Sequence, residues 1–288
     1  MSMLSDDDRA RLDRIVAALE RLAPPAVEAV DLGGASAFVW DARSRGLKPV
    51  AALAAQPSEL IVGQDRARSR LAANIEHFAA GLPANHVLFW GARGTGKSAL
   101  MLAIAAEAMA RHPALKLVEI RRGEIQSLHD LLPALARSDA RVLLYMDDLS
   151  FEAADETYKA LKSALGGGIE AAGENVLVCA TSNRKHLSPR MMAENEDRDA
   201  IRRGEAGHEL LSLADRFGLS IGFYEPTQAE FLAMVAAHAA HRGVAIDAET
   251  LRRRAISWAA ERGARSGRTA AQFVADLAAE LTVERDRI

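Results

Sequence analysis

The segment from residue 91 to residue 98 constrains this chain more than any other part of its sequence. It reads Gly-Ala-Arg-Gly-Thr-Gly-Lys-Ser and matches the pattern G-x-x-x-x-G-K-[ST] in full. The apolar run Val87-Leu88-Phe89-Trp90 precedes it, and an alanine-rich stretch follows it. This context predicts a strand, a curled loop and a helix in succession. Such a loop holds phosphate, because its backbone N–H groups and the helix N-terminus both face the anion.

The loop therefore predicts a binding site for a nucleoside triphosphate. We expect Lys97 to contact the β- and γ-phosphates and Ser98 to ligate Mg²⁺, as these residue types do in this pattern. The other residues predicted to contact the nucleotide are Gly91, Ala92, Arg93, Gly94, Thr95, Gly96 and Ala99.

Size and composition favour a soluble cytoplasmic protein. The 288 residues, 49% of them hydrophobic, can form one large domain or two modest ones. The single cysteine, Cys179, lies in an apolar run, which indicates a buried thiol in a strand. No segment approaches the ~20 apolar residues of a membrane span, and the acidic N-terminus does not resemble a signal peptide. A net charge of −3 argues against a general attraction to nucleic acid or to anionic membranes.

The chain alternates short apolar runs with helical patterns after the loop. Runs at 115–120, 141–146, 175–180 and 219–223 predict strands with helices between them, and therefore a mainly parallel α/β sheet covered on both faces. Beyond Pro226 the pattern is helical only. Thr227 and Glu230 form a capping box there, Asp247 is placed to cap a second helix, and a third is expected at 266–281.

The N-terminal part is less regular. Residues 6–22 predict an amphipathic helix that packs or binds a partner, whereas residues 26–59 have no clear assignment beyond an extended stretch at 37–40. We therefore expect three parts: an N-terminal helical extension (1–57), a phosphate-loop α/β core (58–225) and a C-terminal helical domain (226–288).

Polar side chains follow two of the predicted strands. Asp147 and Asp148 end the strand that begins near Val142, and Asn183 follows the next strand. Because parallel strands end at one edge of the sheet, these groups are expected beside the phosphate loop. We expect Asp147 to hold the Mg²⁺ shell, Asp148 to polarise the attacking water, and Asn183 to contact the γ-phosphate or that water.

Two other features allow more than one interpretation. Arg216, just before the last strand, could stabilise the γ-phosphate of a neighbouring subunit, or it could form a surface pair with Asp215 of little energetic value. The histidines at 238 and 241 are three residues apart on a helix without accompanying acids, which favours surface residues over a metal site.

These motifs, in this order, resemble the AAA+ ATPases. Residues 91–98 are similar to Walker A, 142–148 to Walker B, Asn183 to sensor 1, Arg216 to the arginine finger, and Arg268 to sensor 2. The segments 147–152, 158–165 and 180–187 resemble more closely a bacterial AAA+ subfamily catalogued only as a domain of unknown function. The resemblance covers roughly 58–285. It implies an αβα core with a five-stranded sheet of order 5-1-4-3-2, a helical lid at 226–288, ATP bound between them, and assembly into a homo-oligomer with Arg216 acting in trans.

The sequence departs from the AAA+ pattern in two places. Most members have glutamate where this chain has Asp148, so hydrolysis is expected to be slow unless the water approaches more closely or Glu152 substitutes. The lid offers three candidate sensor arginines, of which Arg268 is favoured because Gly267 precedes it at the expected helix start. Arg262 and Arg265 are the alternatives.

The leading functional hypothesis is a Mg²⁺-dependent ATPase that remodels or loads a macromolecular partner. The alternatives are an ATP-gated scaffold or loader that turns over slowly, and, less favoured, a small-molecule phosphotransferase. The stretch 120–127 contains no aromatic residue, which argues against polypeptide threading, and Arg121-Arg122 leaves a nucleic-acid partner open. The charged segment 188–207 is interpreted as a solvated loop or as an element that orders in an assembly.

Overall fold

The computed structural model describes residues 6–22, 30–149, 156–166, 172–183 and 215–285. In this part of the chain the helices are α1 (Asp6–Leu22), α2 (Asp65–Ala79), α3 (Lys97–Arg111), α4 (Leu128–Ala136), α5 (Glu156–Leu165), α6 (Gln228–His241), α7 (Ala248–Glu261) and α8 (Gly267–Arg285), with short 3₁₀ helices at Ser58–Leu60 and Arg122–Ser127. The strands are β1 (Ala37–Asp41), β2 (Gly46–Pro49), β3 (Val87–Gly91), β4 (Leu115–Glu119), β5 (Arg141–Met146), β6 (Val176–Ser182) and β7 (Leu219–Phe223).

The strands form a seven-stranded sheet of order β2-β1-β4-β5-β6-β3-β7. All neighbours are parallel except the β1–β2 pair. The predicted five-stranded sheet was therefore wrong in size, although the five strands from β3 to β7 follow one another across the sheet in the predicted order 5-1-4-3-2. The two additional strands form a hairpin that extends the edge beyond β4, because the apolar stretch at 37–40 pairs with residues about 80 positions later.

The hairpin is fixed to the core by buried and charged contacts. Trp40 is fully buried, and its indole N–H donates to Ser127 Oγ at 2.7 Å. Arg45 in the hairpin turn forms an ion pair with Asp130 on α4. We expected a helical extension at residues 1–57, but this segment contains the β1–β2 hairpin and is therefore not entirely helical. The domain boundaries at 57 and 225 remain predictions.

Alternate residues of each central strand face opposite layers of helices. On β5, Val142 and Leu144 pack in a cluster with the apolar residues of α4 and α5. Leu143 and Tyr145 point to the other face and pack in a cluster with α2 and α3. This arrangement confirms the predicted parallel-dominated α/β fold with helices on both faces, because strands buried on both sides must be apolar at nearly every position.

The C-terminal helices α6, α7 and α8, which we call the helical lid, have their own apolar core. Its largest buried members are Phe231 and Phe273. The predicted capping box is present, since Thr227 Oγ1 accepts the Glu230 N–H at 3.2 Å and the Glu230 carboxylate accepts the Thr227 N–H. Asp247 caps α7 by accepting the Thr250 N–H at 2.9 Å. These caps fix where the lid helices begin.

The first helix, α1, occupies the predicted range, but part of its apolar face is open. Leu12, Ile15 and Val16 have relative exposures of 45%, 54% and 49%. These side chains are therefore not buried against the rest of the described chain. None of the helices in the described ranges is long and apolar enough to cross a membrane.

Candidate active site

The phosphate loop connects β3 to α3 in a conformation that only glycines adopt easily. Gly91, Gly94 and Gly96 have φ angles of 130°, 79° and 102°, in the region where other residues are strained. Gly96 is the N-cap of α3, so the loop ends at a helix N-terminus. At Gly91 a Cβ atom would lie 1.9 Å from the carbonyl oxygen of Phe223 on β7, which leaves no room for a side chain.

Lys97 is buried at the start of α3, and its ammonium group has three acceptors. Nζ donates to Gly91 O at 2.9 Å, to Ala92 O at 2.7 Å and to Asn183 Oδ1 at 2.9 Å. Burial lowers the pKa of Lys97 from its ordinary value, while the carboxylates of Asp147 and Asp148 act in the opposite direction. The lysine is thus tied to the phosphate loop and, through Asn183, to the end of β6.

Asp147 lies at the end of β5 and accepts hydrogen bonds from three hydroxyl groups. Its Oδ1 accepts from Ser98 at 2.7 Å, from Tyr145 at 2.8 Å and from Thr181 at 2.6 Å. Desolvation would raise the pKa of Asp147, but the hydrogen bonds from Thr181, Ser98 and Tyr145 outweigh it and hold the pKa below its ordinary value. The carboxylate is therefore ionised near neutral pH, and it touches the residue that the sequence predicts as its partner in Mg²⁺ binding.

Asp148 has a left-handed backbone conformation, with φ of 54°. Its backbone N–H donates to Thr181 Oγ1 at 2.8 Å, and its carboxylate accepts a hydrogen bond from the Asn183 amide. Asn183 consequently bridges Lys97 and Asp148 with the two ends of one side chain. The predicted catalytic acid, the predicted sensor and the phosphate-loop lysine thus form one hydrogen-bonded chain.

A cleft separates this group from the helical lid. Of the predicted loop residues, those from Arg93 to Ala99 line the cleft, together with Asp147, Asp148 and Asn183. Gly91 and Ala92 do not line it but supply the carbonyl groups that hold Lys97.

The lid places its three candidate arginines in different surroundings. Arg268 lines the cleft beside Gly267, and Gly267 lies close to the Gly94 carbonyl. Arg265 lines a separate cavity between the loop and the lid. The guanidinium of Arg262 stacks on the Trp258 ring at 3.3 Å from its centroid. Of the three, Arg268 is the one that lines the cleft, and its role as the lid sensor stays a prediction.

The far end of the cleft contains residues that sequence reasoning missed. Ile61, Val62 and Met234 line it with apolar groups, and His238 lies beside them on α6. His238 is only 6% exposed, so interpreting it as a surface residue was wrong. Burial, and then the charges of Arg242 and His241, lower its pKa. The signal available in the sequence was its three- and four-residue spacing from apolar neighbours on α6, because such positions share a helix face.

Arg216 lies away from the cleft in this chain. Its guanidinium donates to the Lys162 carbonyl at 2.7 Å, in the last turn of α5, where a positive charge is favourable. It also packs against Gly166, where an added Cβ would lie 2.0 Å from the Arg216 guanidinium. The structure thus places Arg216 apart from the residues that line its own cleft.

The site has the donors that Mg²⁺ requires from a protein, but few of them. The hydroxyl of Ser98 and the carboxylate of Asp147 are adjacent, and both are oxygen ligands of the kind that Mg²⁺ prefers. Within the described ranges no group of three or more His, Cys, Asp or Glu residues could hold a metal ion. A Mg²⁺ ion would therefore need phosphate oxygens and water to complete its shell, as is usual for this ion. Glu152 and the segment 188–207 lie outside the described residues.

The fold and the sequence match known proteins in two comparisons. A family model described as "Protein of unknown function (DUF815)" matches residues 33–281. A mutant of RuvB from Thermotoga maritima superposes with a TM-score of 0.53 at 19% identity, covering 78% of this chain and 65% of that one. A second RuvB mutant gives 0.52 at 19% identity, covering 80% and 67%. No curated protein matches the sequence.

The family match confirms the predicted resemblance to a family catalogued without a function, and the superposition shows that this chain has a fold similar to that of RuvB. The chain spans 65% of the length of the first RuvB structure, and at 19% identity the likeness concerns the fold alone.

Proposed function

We propose that this chain, which belongs to the DUF815 family, binds ATP together with Mg²⁺ between its phosphate loop and its helical lid and hydrolyses it to ADP and phosphate. The observation that carries the proposal is the hydrogen-bonded group at the mouth of the loop. Lys97, Asn183 and Asp148 are linked there, and Ser98 touches Asp147. A chance glycine turn between a strand and a helix would have no reason to collect these side chains around it.

Each residue would act at a separate point on the nucleotide. Lys97 would exchange the carbonyls of Gly91 and Ala92 for β- and γ-phosphate oxygens, and its positive charge would stabilise the negative charge that develops during transfer. Ser98 and Asp147 would hold Mg²⁺, which screens the phosphates when it is bound. Arg268 would contact the phosphates from the lid side.

The attacking water would be activated by the pair of Asp148 and Asn183. Asp148 accepts the proton or polarises the water, and the Asn183 amide, which now donates to Asp148, can turn to the water or the γ-phosphate. Asn183 is neutral, so it orients these groups without adding negative charge beside the triphosphate.

Arg216 would act on the nucleotide of a neighbouring copy in a homo-oligomer. Within its own chain it is bound to Lys162, so it would leave this carbonyl when an adjacent cleft with ATP is presented to it. An arginine that stabilises the transferring phosphoryl group from another subunit increases turnover strongly.

Complementation between two inactive variants tests the proposal directly. Lys97→Ala should lose ATP binding but still present Arg216, whereas Arg216→Ala should bind ATP but not hydrolyse it. Each variant alone should be inactive, and their mixture should recover part of the wild-type ATPase activity. Specific activity of the wild type should also rise with protein concentration. Arg253→Ala, on an exposed position of α7, is the control and should behave like the wild type.

If the wild type is active but the mixture of Lys97→Ala and Arg216→Ala is inactive, action of Arg216 on a neighbouring subunit is contradicted. A wild type without ATP binding would contradict the proposal as a whole.

A second candidate function is an ATP-gated scaffold or loader with slow turnover. It is favoured by Asp148, whose side chain is one methylene shorter than glutamate and already accepts a hydrogen bond from Asn183. Single-turnover measurements distinguish the two candidates. A scaffold would bind ATP and retain it uncleaved over many minutes, whereas an ATPase would release phosphate in a single exponential phase.

The client is proposed to be a macromolecule in the cytoplasm. Arg121 and Arg122 are exposed in the segment after β4, and no aromatic side chain accompanies them there. Binding of DNA or RNA should weaken steeply with added salt, because neutralising phosphates releases counterions. Binding that does not depend on salt would favour a protein client.

A further inference from the structure

We infer that Thr181 and Tyr145 are positioning residues that aim the Mg²⁺-binding carboxylate, and that Thr181 also fixes the catalytic acid. This inference rests on the proposed function. Tyr145 lies in the segment 142–148 and Thr181 in the segment 180–187, but the sequence assigned a role to neither. Both hydroxyl groups donate to the same oxygen, Asp147 Oδ1, at 2.6 Å and 2.8 Å.

Both hydroxyls lie on strands of the central sheet that are buried along most of their length. Thr181 and Tyr145 are each 2% exposed, and Thr181 also lines the cleft. A hydroxyl removed from water is unfavourable unless it is hydrogen-bonded, so valine and phenylalanine would be the simpler residues for packing alone. A tyrosine hydroxyl carries its proton at neutral pH, so Tyr145 is the donor in its bond to the carboxylate.

Thr181 connects the two acids through one oxygen atom. Its single hydroxyl hydrogen is used on Asp147, while a lone pair of the same oxygen accepts the Asp148 N–H at 2.8 Å. These two bonds match what a threonine hydroxyl can offer, and they hold at the same time. Because Asp148 has a φ of 54°, which non-glycine residues rarely adopt, this bond helps to keep its backbone in place.

Ser98 also donates to Asp147, but unlike Thr181 and Tyr145 it is itself a proposed ligand of Mg²⁺. As a proposed ligand, Ser98 would offer a lone pair to the cation and could keep its hydrogen on Asp147, so its position would depend on the cation. Thr181 and Tyr145 are the donors that would hold the carboxylate in one orientation without contacting the cation. Partners of this kind around a metal ligand typically change metal affinity by about 10- to 100-fold.

The test uses the full chain, three variants of the two residues and one control variant. Thr181→Val and Tyr145→Phe keep the shape of each residue and remove the hydroxyl, whereas Thr181→Ser keeps the hydroxyl. Ser182→Ala is the matched control, because Ser182 is a buried hydroxyl on the same strand that donates to Leu149 O at 3.0 Å instead of to Asp147. ATP binding is measured calorimetrically in EDTA and at increasing MgCl₂ concentrations, and turnover is measured at saturating MgCl₂.

We expect Thr181→Val and Tyr145→Phe to raise the MgCl₂ concentration for half-maximal enhancement of ATP binding by about tenfold or more. Affinity for ATP in EDTA should stay within about twofold of the wild type, which a general structural defect would not allow. Thr181→Ser and Ser182→Ala should resemble the wild type. Only Thr181→Val should also reduce kcat at saturating MgCl₂, because it alone contacts Asp148.

Several results would overturn the inference. An unchanged MgCl₂ dependence in Thr181→Val, an equal shift in Thr181→Ser, or the same shift in Ser182→Ala would each remove the positioning role. If Thr181→Val does not fold, as judged by circular dichroism, the MgCl₂ dependence of Tyr145→Phe shows whether a hydroxyl donor orients the Asp147 carboxylate. If the wild type binds ATP and all variants show the same MgCl₂ dependence, the positioning role is contradicted and the proposed function is not. A wild type that does not bind ATP contradicts the proposed function as well.

Discussion

Replacing Gly91 by alanine should destabilise the protein and remove nucleotide binding. A Cβ atom at this position would lie 1.9 Å from Phe223 O, whereas Cβ atoms do not approach other atoms closer than about 3.0 Å. The strands β3 and β7 would therefore have to separate locally by about 1 Å. Alanine would also have to hold a φ of 130°, which is strained for any residue with a side chain.

The magnitude follows from these two effects. Backbone strain of this kind costs about 1–3 kcal/mol. The displaced Phe223 carbonyl is also the acceptor of the Ala92 N–H at 3.3 Å, and losing such a bond costs about 1 kcal/mol. We therefore expect Gly91→Ala to lower the free energy of unfolding by about 2–4 kcal/mol. The loop proposed to bind phosphate would be distorted at its first residue, so ATP affinity should fall even where the variant is folded.

Urea unfolding followed by circular dichroism measures the first effect, and calorimetric ATP titration measures the second. Gly123→Ala is the matched control, since Gly123 is exposed, has no positive φ and has no atom within 4 Å of its added Cβ. The control should change the free energy of unfolding by less than about 0.5 kcal/mol. If Gly91→Ala were as stable as this control and bound ATP like the wild type, the close approach of β3 to β7 would be refuted.

Two further predictions concern the partly buried His86 and the buried Cys179, both away from the cleft. Burial lowers the pKa of His86 below its ordinary value of 6.5, and its Nδ1 accepts the Val178 N–H at 3.1 Å, so the unfolded chain takes up the proton more readily. The free energy of unfolding should thus decrease as the pH falls below 6.5, and it should decrease less in His86→Gln; equal pH profiles in urea titrations would contradict this. Cys179 is fully buried and its pKa is raised by burial, so a thiol reagent should label it only as fast as the chain unfolds. Rapid labelling of the native protein would contradict its placement in β6.

Much of the site could be predicted because its chemistry is local. The glycine pattern, Lys97 and Ser98 are contiguous, and Asp147 and Asn183 each follow an apolar strand. Since parallel strands end at the same edge, sequence alone brings these groups together, and the structure shows them linked by hydrogen bonds.

The parts that could not be predicted depend on contacts between distant segments. The hairpin β1–β2 is short, and what makes it a strand pair is its pairing with β4 and the burial of Trp40. The position of His238 in the cleft depends on how the lid sits on the core, which no local pattern reveals. Thr181 was not identified for a related reason. The role proposed for its hydroxyl depends on the hydrogen bond to Asp147, which follows the adjacent strand β5, and the sequence does not show which groups meet there.

The surroundings of the three lid arginines could not be predicted from the sequence either. Their spacing left Arg262, Arg265 and Arg268 as alternatives, and the choice between them depends on the turn that leads into α8. That turn directs Arg268 into the cleft and Arg265 into a different cavity. Sequence reasoning favoured Arg268 because Gly267 precedes it at the helix start, and the role of Arg268 in sensing nucleotide stays a prediction.

Equilibrium binding of Mg²⁺-ATP to the wild type and to Lys97→Ala shows whether the loop at residues 91–98 is a nucleotide site. We expect saturable binding of ATP to the wild type, with an affinity that Mg²⁺ increases. In Lys97→Ala the affinity should fall about tenfold or more, because the lysine ammonium group is expected to contact the β- and γ-phosphates. Both proteins should give the same circular dichroism spectrum. A folded wild type that does not bind ATP, or a Lys97→Ala variant that binds it equally well, would contradict a nucleotide site at this loop.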